Sequence, residues 1–359
     1  MPHGVMKSGE EFALALGGSL PGVEAAWEEW GDPGAPPERT ILIMPALSAS
    51  AHVASSDADR SEGWWEPMVG PGRWIDTDRW RVVAASILGS PFGSTSPVST
   101  SPSTGRMWGR DFPQITPADQ ARVHALVLDH LGIEKVHAVI GSSLGGMQVL
   151  QFAAQYPERL DRAVCISATG KTTPGTVALR RVGRLAIMND PDYDEGRYEA
   201  GKGPHRGLAV ARELGTICYR SRDEFNQRFD WDPDPEGPFT PQYLTYEVER
   251  YLAHQGERFA HAFDANCYLL LSRCMDLMDL GAGFKTYAEG VLRITAPMMI
   301  VGVDRDLLIP PSEQQHVAHL LESHGREVHF EILPSLFGHD AFLKEYDWFG
   351  PRIRDWIAD

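Results

Sequence analysis

The chain has 359 residues, 43% hydrophobic and 23% charged, which suits one large α/β domain with an insertion or two domains. Its 33 Lys and Arg against 49 Asp and Glu leave a formal charge of −16, which argues against nucleic acid or an anionic membrane as partner, so an anionic substrate would need a local Arg and Lys cluster. No apolar run approaches a span of ~18 residues, Glu10 and Glu11 fall where a secretory leader should be apolar, and the four cysteines form no CxxC pair, so a cytoplasmic chain without disulfides is expected.

Along the chain, VEAAWEEW (23–30) and TILIMP (40–45) read as strands, the second nearly all apolar and therefore central. RWRVVAASI (79–87) is a third. Residues 88–115, rich in Ser, Pro and Gly, read as a long ordered loop. Thr116 and Pro117 supply an N-cap and an N1 proline for a helix running to Gly132. The next stretch, VHAVIGSSLGGMQVLQFAAQ (136–155), is a short apolar strand, a Gly-x-Ser-x-Gly turn and a helix. This is the layout of a nucleophile elbow, in which a sharp strand-to-helix turn presents a serine hydroxyl at the carboxyl edge of a sheet. Ser143 is the serine so placed, and the following helix aims its first N–H groups at charge developing beside it.

AVCISA (163–168) reads as the next strand. From residue 171 to 287 apolar residues recur at helical spacing with no convincing strand, which predicts a helical insertion over the sheet edge. The sheet resumes with APMMIVGV (296–303), a helix at 312–324, REVHFEIL (326–333) and a last helix near 346–357. Strands alternating with helices imply a mostly parallel sheet with right-handed crossovers. The predicted organisation is an α/β core over 1–170, a helical lid over 171–287, and the rest of the core over 288–359.

A serine hydroxyl is a weak nucleophile unless a base takes its proton and a third group holds that base. Both follow in the order expected for an elbow of this kind. The strand at 296–303 ends in DRDLLIPP, offering Asp304 and Asp306, which topology alone does not separate. The strand at 326–333 is followed by PSLFGHDAF, placing His339 behind Gly338. For an oxyanion hole, the Leu144 N–H directly follows the nucleophile, and Leu47, in the loop after the strand at 40–44, is the expected second donor. No HExxH or clustered His/Cys set suggests a metal, and none is expected.

Several ordered blocks carry a more specific signal. GWWEPMVGPGRWIDTDRW (63–80), GSTSP (93–97), FPQIT (112–116), GSSLGGMQ (141–148), RGLAVARELG (206–215), YRSRDEFNQRF (219–229), FDANCYLLLSRCMD (263–276), DLLIPP (306–311) and GHDAF (338–342) resemble the α/β-hydrolase-fold homoserine O-acetyltransferase family of methionine biosynthesis. The resemblance implies an α/β-hydrolase fold, with Asp306 as the triad acid. It also implies that Arg212 and Asp340 hold the amino-acid acceptor, and that two chains pair through the helical insertion as a homodimer. A guanidinium for the acceptor carboxylate and a carboxylate for its ammonium make chemical sense.

The sequence also departs from the family's commonest pattern. ALSASAH (46–52) stands where many members have Leu-Thr-Gly-Asp-Ala-His, and Ser142 and Leu144 stand where Gly and Met are common. Similar departures occur in relatives that acylate serine. Leu308 occupies a position where succinyl-using homoserine enzymes often carry Arg, which tilts the expectation toward acetyl. The expected reaction is therefore ping-pong acyl transfer from acetyl-CoA to L-homoserine, with no cofactor beyond the acyl-CoA co-substrate. L-serine as acceptor and succinyl-CoA as donor are the alternatives. An esterase or thioesterase using the same triad is the rival of another class.

Overall fold

The computed structural model describes residues 4–199 and 201–358. Its main element is an eight-stranded sheet: β1 (Gly4–Ser8), β2 (Val23–Trp30), β3 (Thr40–Met44), β4 (Arg81–Ala85), β5 (Val136–Ser142), β6 (Leu160–Ile166), β7 (Met298–Val303) and β8 (Val328–Leu333). The spatial order is β1-β2-β4-β3-β5-β6-β7-β8. β2 runs antiparallel to β1 and β4, and every other pairing is parallel.

Every residue of β3, β4 and β7 is buried, as expected of strands covered on both faces. Alternation along β3 divides the core. Leu42 and Met44 join one apolar cluster with α1 (Pro117–His130) and α2 (Leu144–Gln155), while Ile41 and Ile43 join another with Trp65, Phe349 and Ile353. The cap expected at Thr116 forms with Asp119 as its reciprocal partner: the Asp119 carboxylate accepts from Thr116 N–H at 2.8 Å, and Asp119 N–H reaches the Thr116 hydroxyl at 3.4 Å.

Between β6 and β7 the chain forms α3 (Pro174–Met188), α4 (His205–Tyr219), α5 (Arg222–Arg228), α6 (Glu247–Ala262), α7 (Ala265–Asp276) and α8 (Tyr287–Val291). Among the described residues of this insertion the only strand-like pairing is a single bridge, Lys171 to Asp279. Then come α9 (Pro311–Glu322) and α10 (Tyr346–Ala358), on either side of β8 in sequence. All four cysteines are buried and unpaired, and no described helix is long and apolar enough to cross a membrane. Because β3, β5, β7 and β8 are parallel, the segments that follow them emerge at one edge of the sheet, beneath the helical insertion.

Candidate active site

β5 ends at Ser142 and α2 begins at Leu144, so Ser143 makes the whole turn, at φ 55° and ψ −122°. That conformation is strained for a residue with a side chain. Neighbouring backbone explains the flanking glycines. A Cβ at Gly145 would stand 2.1 Å from the Met44 carbonyl oxygen, and one at Gly141 would stand 2.5 Å from the Gly145 carbonyl. The turn is anchored at both ends: Ser143 N–H donates to the Ile166 carbonyl at 2.9 Å, and Met147 N–H donates to the Ser143 carbonyl at 3.0 Å.

His339 lies in a short 3-10 turn, Gly338–Leu343, with Gly338 at φ 56°. Its Nε2 is 2.8 Å from the Ser143 hydroxyl, and its Nδ1 is 2.7 Å from Asp306 Oδ2. With Nδ1 donating to the carboxylate, Nε2 is left to accept the hydroxyl proton. All three side chains are buried. Burial pulls the imidazole pKa down, but the charge and hydrogen bond of Asp306 outweigh it, so His339 sits above the ordinary histidine value. Asp340 adds to the rise and Arg180 works against it.

The two carboxylates that topology left together now separate. Asp306 is buried, and its Oδ1 accepts the Leu308 and Ile309 N–H groups at 2.9 and 2.8 Å, leaving Oδ2 for the imidazole. Asp304 instead accepts Ser335 N–H at 3.0 Å, with its side chain 38% exposed. Leu47 occupies the second position of a turn closed by Ala49 N–H donating to the Ala46 carbonyl at 3.1 Å. Leu144 is the first residue of α2, where an N–H has no acceptor within its own helix. Leu47, Ser143 and His339 all line one cavity of about 190 Å³ between the sheet edge and α3, α4 and α7.

Arg212 and Asp340 line the same cavity. The Arg212 guanidinium lies 4.9 Å from the Phe259 ring centre and 5.5 Å from that of Tyr219. Among the described residues it has no carboxylate partner, and its Nε has no hydrogen bond. Asp340 is less free than the sequence suggested, because Arg220 Nε donates to its Oδ2 at 2.9 Å. Arg180, on the buried face of α3, also reaches the cavity. The sequence reading singled out neither Arg180 nor Arg220. Their signals were arginine at 180 and 184, one turn apart on the apolar side of an amphipathic helix, and the Tyr-Arg-Ser-Arg block at 219–222. Among the described residues no group of His, Cys, Asp and Glu could hold a metal.

Such an arrangement can acylate a serine and pass the acyl group to a second nucleophile. A family model described as the alpha/beta hydrolase fold matches residues 40–346. The homoserine O-acetyltransferase of Geobacter sulfurreducens is 38% identical, over 97% of this chain and 95% of that one. The chain belongs to the α/β-hydrolase-fold homoserine O-acetyltransferase family. A serine O-succinyltransferase from Litchfieldella anticariensis is 43% identical, over 95% of this chain and 94% of its own. Among solved structures, esterase E22 superposes with a TM-score of 0.90 at 27% identity, covering 99% of each chain. One fold therefore serves proteins named for different reactions, so the residues lining the cavity have to carry the choice.

Proposed function

We propose that this chain transfers an acetyl group from acetyl-CoA to the side-chain hydroxyl of L-homoserine through an acyl-Ser143 intermediate. The observation that carries this reading is the cavity itself. It joins the Ser143–His339–Asp306 chain to the Arg212 guanidinium, which has no carboxylate partner among the described residues, and to a carboxylate, Asp340. That pair suits a zwitterion carrying a hydroxyl.

In the first half-reaction His339 Nε2 takes the Ser143 proton as Oγ attacks the thioester carbonyl carbon. The Leu144 and Leu47 N–H groups receive the oxyanion. The carbon–sulfur bond then breaks, and His339 returns the proton to the CoA thiolate. In the second, the acceptor hydroxyl gives its proton to His339 and attacks the acyl carbon, and Ser143 leaves as its hydroxyl reforms. The scheme needs no cofactor beyond the acyl-CoA. The insertion acts as a lid that keeps water from the acyl-enzyme. It would also be the dimer contact, with exposed Val182 and Met188 on α3 and Val210 and Ile217 on α4 covered by a second copy. Buried unpaired cysteines fit a cytoplasmic setting.

A second reading, succinyl transfer to L-serine, is favoured by Arg180. Its buried guanidinium touches Asp276 at 3.3 Å, yet its Nε and second terminal nitrogen have no partner among the described residues. Asp276 is shared with Arg184 at 2.7 Å and Arg273 at 3.3 Å, so three cations meet one carboxylate beside the cavity. The far carboxylate of a succinyl group would meet that excess charge. CoA release measured for acetyl- and succinyl-CoA, each with L-homoserine and L-serine, tests both readings. Preference for acetyl-CoA with homoserine supports the first. Preference for succinyl-CoA with serine, lost in Arg180→Leu while acetyl use persists, supports the second. Equal CoA release with and without an amino acid contradicts both and indicates a thioesterase.

A further inference from the structure

The corner between α4 and α5, residues 219–221, runs directly against the loop that carries His339 and Asp340. The Ser221 hydroxyl donates to the Leu336 carbonyl. At Gly338 the approach is so close that a Cβ would stand 3.1 Å from the Tyr219 carbonyl oxygen. The Tyr219 ring centre lies 5.8 Å from that of the His339 imidazole.

Arg220 sits at the centre of this contact and is buried. Its Nε donates to Asp340 Oδ2 at 2.9 Å, one terminal nitrogen donates to Glu224 Oε1 at 3.2 Å, and the guanidinium lies 5.7 Å from the Phe337 ring centre. Glu224 is itself fixed, since its N–H donates to the Ser221 hydroxyl that caps α5 and its carboxylate is also approached by Arg228 at 3.6 Å. Among the described residues no hydrogen bond reaches Asp340 Oδ1.

The geometry points to Arg220 as a positioning residue for the acceptor: it pins Asp340 by one oxygen so that the other is presented to the ammonium of an amino acid in the cavity. This rests on the amino-acid-acceptor reading above. A carboxylate on a short 3-10 turn has rotamers that turn it away from the cavity, and one charge-assisted bond from a buried fork removes them. Arg suits the task because its planar donors reach Glu224 and Asp340 in fixed directions, which a lysine ammonium does not reproduce. The anchor spans lid and core, since Arg220 follows α4 whereas Asp340 follows β8. Lid placement and acceptor recognition are thereby coupled.

The test separates the half-reactions in wild type, Arg220→Gln, Arg220→Lys, Asp340→Asn and Arg220→Gln/Asp340→Asn. The burst of CoA release with acetyl- or succinyl-CoA counts competent sites. Steady-state turnover then gives the KM for L-homoserine and L-serine. Arg220→Gln should keep the burst rate within about twofold while raising acceptor KM about tenfold or more. Arg220→Lys should fall between it and wild type. On the Asp340→Asn background Arg220→Gln should add little, because both changes remove the same interaction. An unchanged acceptor KM with a reduced burst amplitude, or effects that multiply fully in the double variant, would overturn the inference and leave Arg220 a packing residue. If Arg220→Gln yields no folded protein, Arg220→Lys decides: a raised acceptor KM with an intact burst supports the inference, and a wild-type KM overturns it. A wild type whose turnover ignores amino acids would fail the acceptor reading instead, and that is seen before any variant is made.

Discussion

Asp306→Asn should be far more damaging than Asp304→Asn, and the structure says why. Asp306 uses Oδ1 for two backbone donors, Leu308 and Ile309, and Oδ2 for the imidazole. An asparagine can keep only one oxygen. Facing the backbone with its amide nitrogen would set donor against two donors, so the oxygen stays there and the nitrogen faces His339. Nδ1 must then accept, which puts the imidazole proton on Nε2. That nitrogen can no longer take the Ser143 proton. A wrong tautomer of this kind costs on the order of 10⁴ in rate, or about 5 kcal/mol of transition-state stabilisation. The substitution is nearly isosteric, so the fold should survive. At Asp304 an amide oxygen can still accept Ser335 N–H, and the side chain is 38% exposed, so turnover should stay within about twofold. The assay is burst and steady-state CoA release by both variants, with circular dichroism to check folding. A loss below about tenfold in Asp306→Asn, or equal losses in both variants, would refute the argument.

Three further outcomes follow from the same geometry. Arg212→Leu should leave the CoA burst largely intact and raise acceptor KM by the equivalent of roughly 1.5–3 kcal/mol, because Ser143 attacks the thioester before the amino acid is needed; an unchanged KM would place the carboxylate clamp elsewhere. Gly145→Ala forces a methyl to 2.1 Å from the Met44 carbonyl, so it should lower thermal stability and slow acylation; wild-type values of both would mean the elbow relaxes freely. The pKa of His339 is raised, so its protonated, inactive form persists to higher pH. The kcat/KM for acyl-CoA should therefore fall as pH drops through a value above the ~6.5 of a free imidazole, and a midpoint below it would contradict the Asp306 contact.

The sheet and the elbow were legible because their signals are local. Nearly all-apolar runs marked β3 and β7, and Thr116-Pro117 marked the start of α1. The edge strand β1 was not read, since GVMKS buries only Met6 and its adjacent apolar residues Val5 and Met6 hide the alternation that the burial shows. Two pairings of two-residue strands, Phe12–Ala13 with Ser19–Leu20 and Val69–Gly70 with Ile75–Asp76, were also missed, being too short to show a period. That Ser143 and His339 would meet was readable from motif and order. Choosing Asp306 over Asp304 by residue pattern was not, because both follow the same strand and only the resemblance favoured one. Their difference lies in which carboxylate oxygen meets which backbone N–H, a tertiary fact. Arg180 and Arg220 belong to the same class: an arginine in the lid reads as a surface cation until folding brings it onto Asp276 or Asp340.

The central claim is that the acyl group passes through Ser143. Incubating the protein with acetyl- or succinyl-CoA in the absence of any amino acid, quenching in acid and mapping peptides by mass spectrometry tests it directly. One acyl group should appear on the peptide containing Ser143, vanish on addition of the preferred acceptor, and be absent in Ser143→Ala. Release of CoA only when acceptor is present, with no acylated peptide, or an adduct that persists in Ser143→Ala, would contradict it.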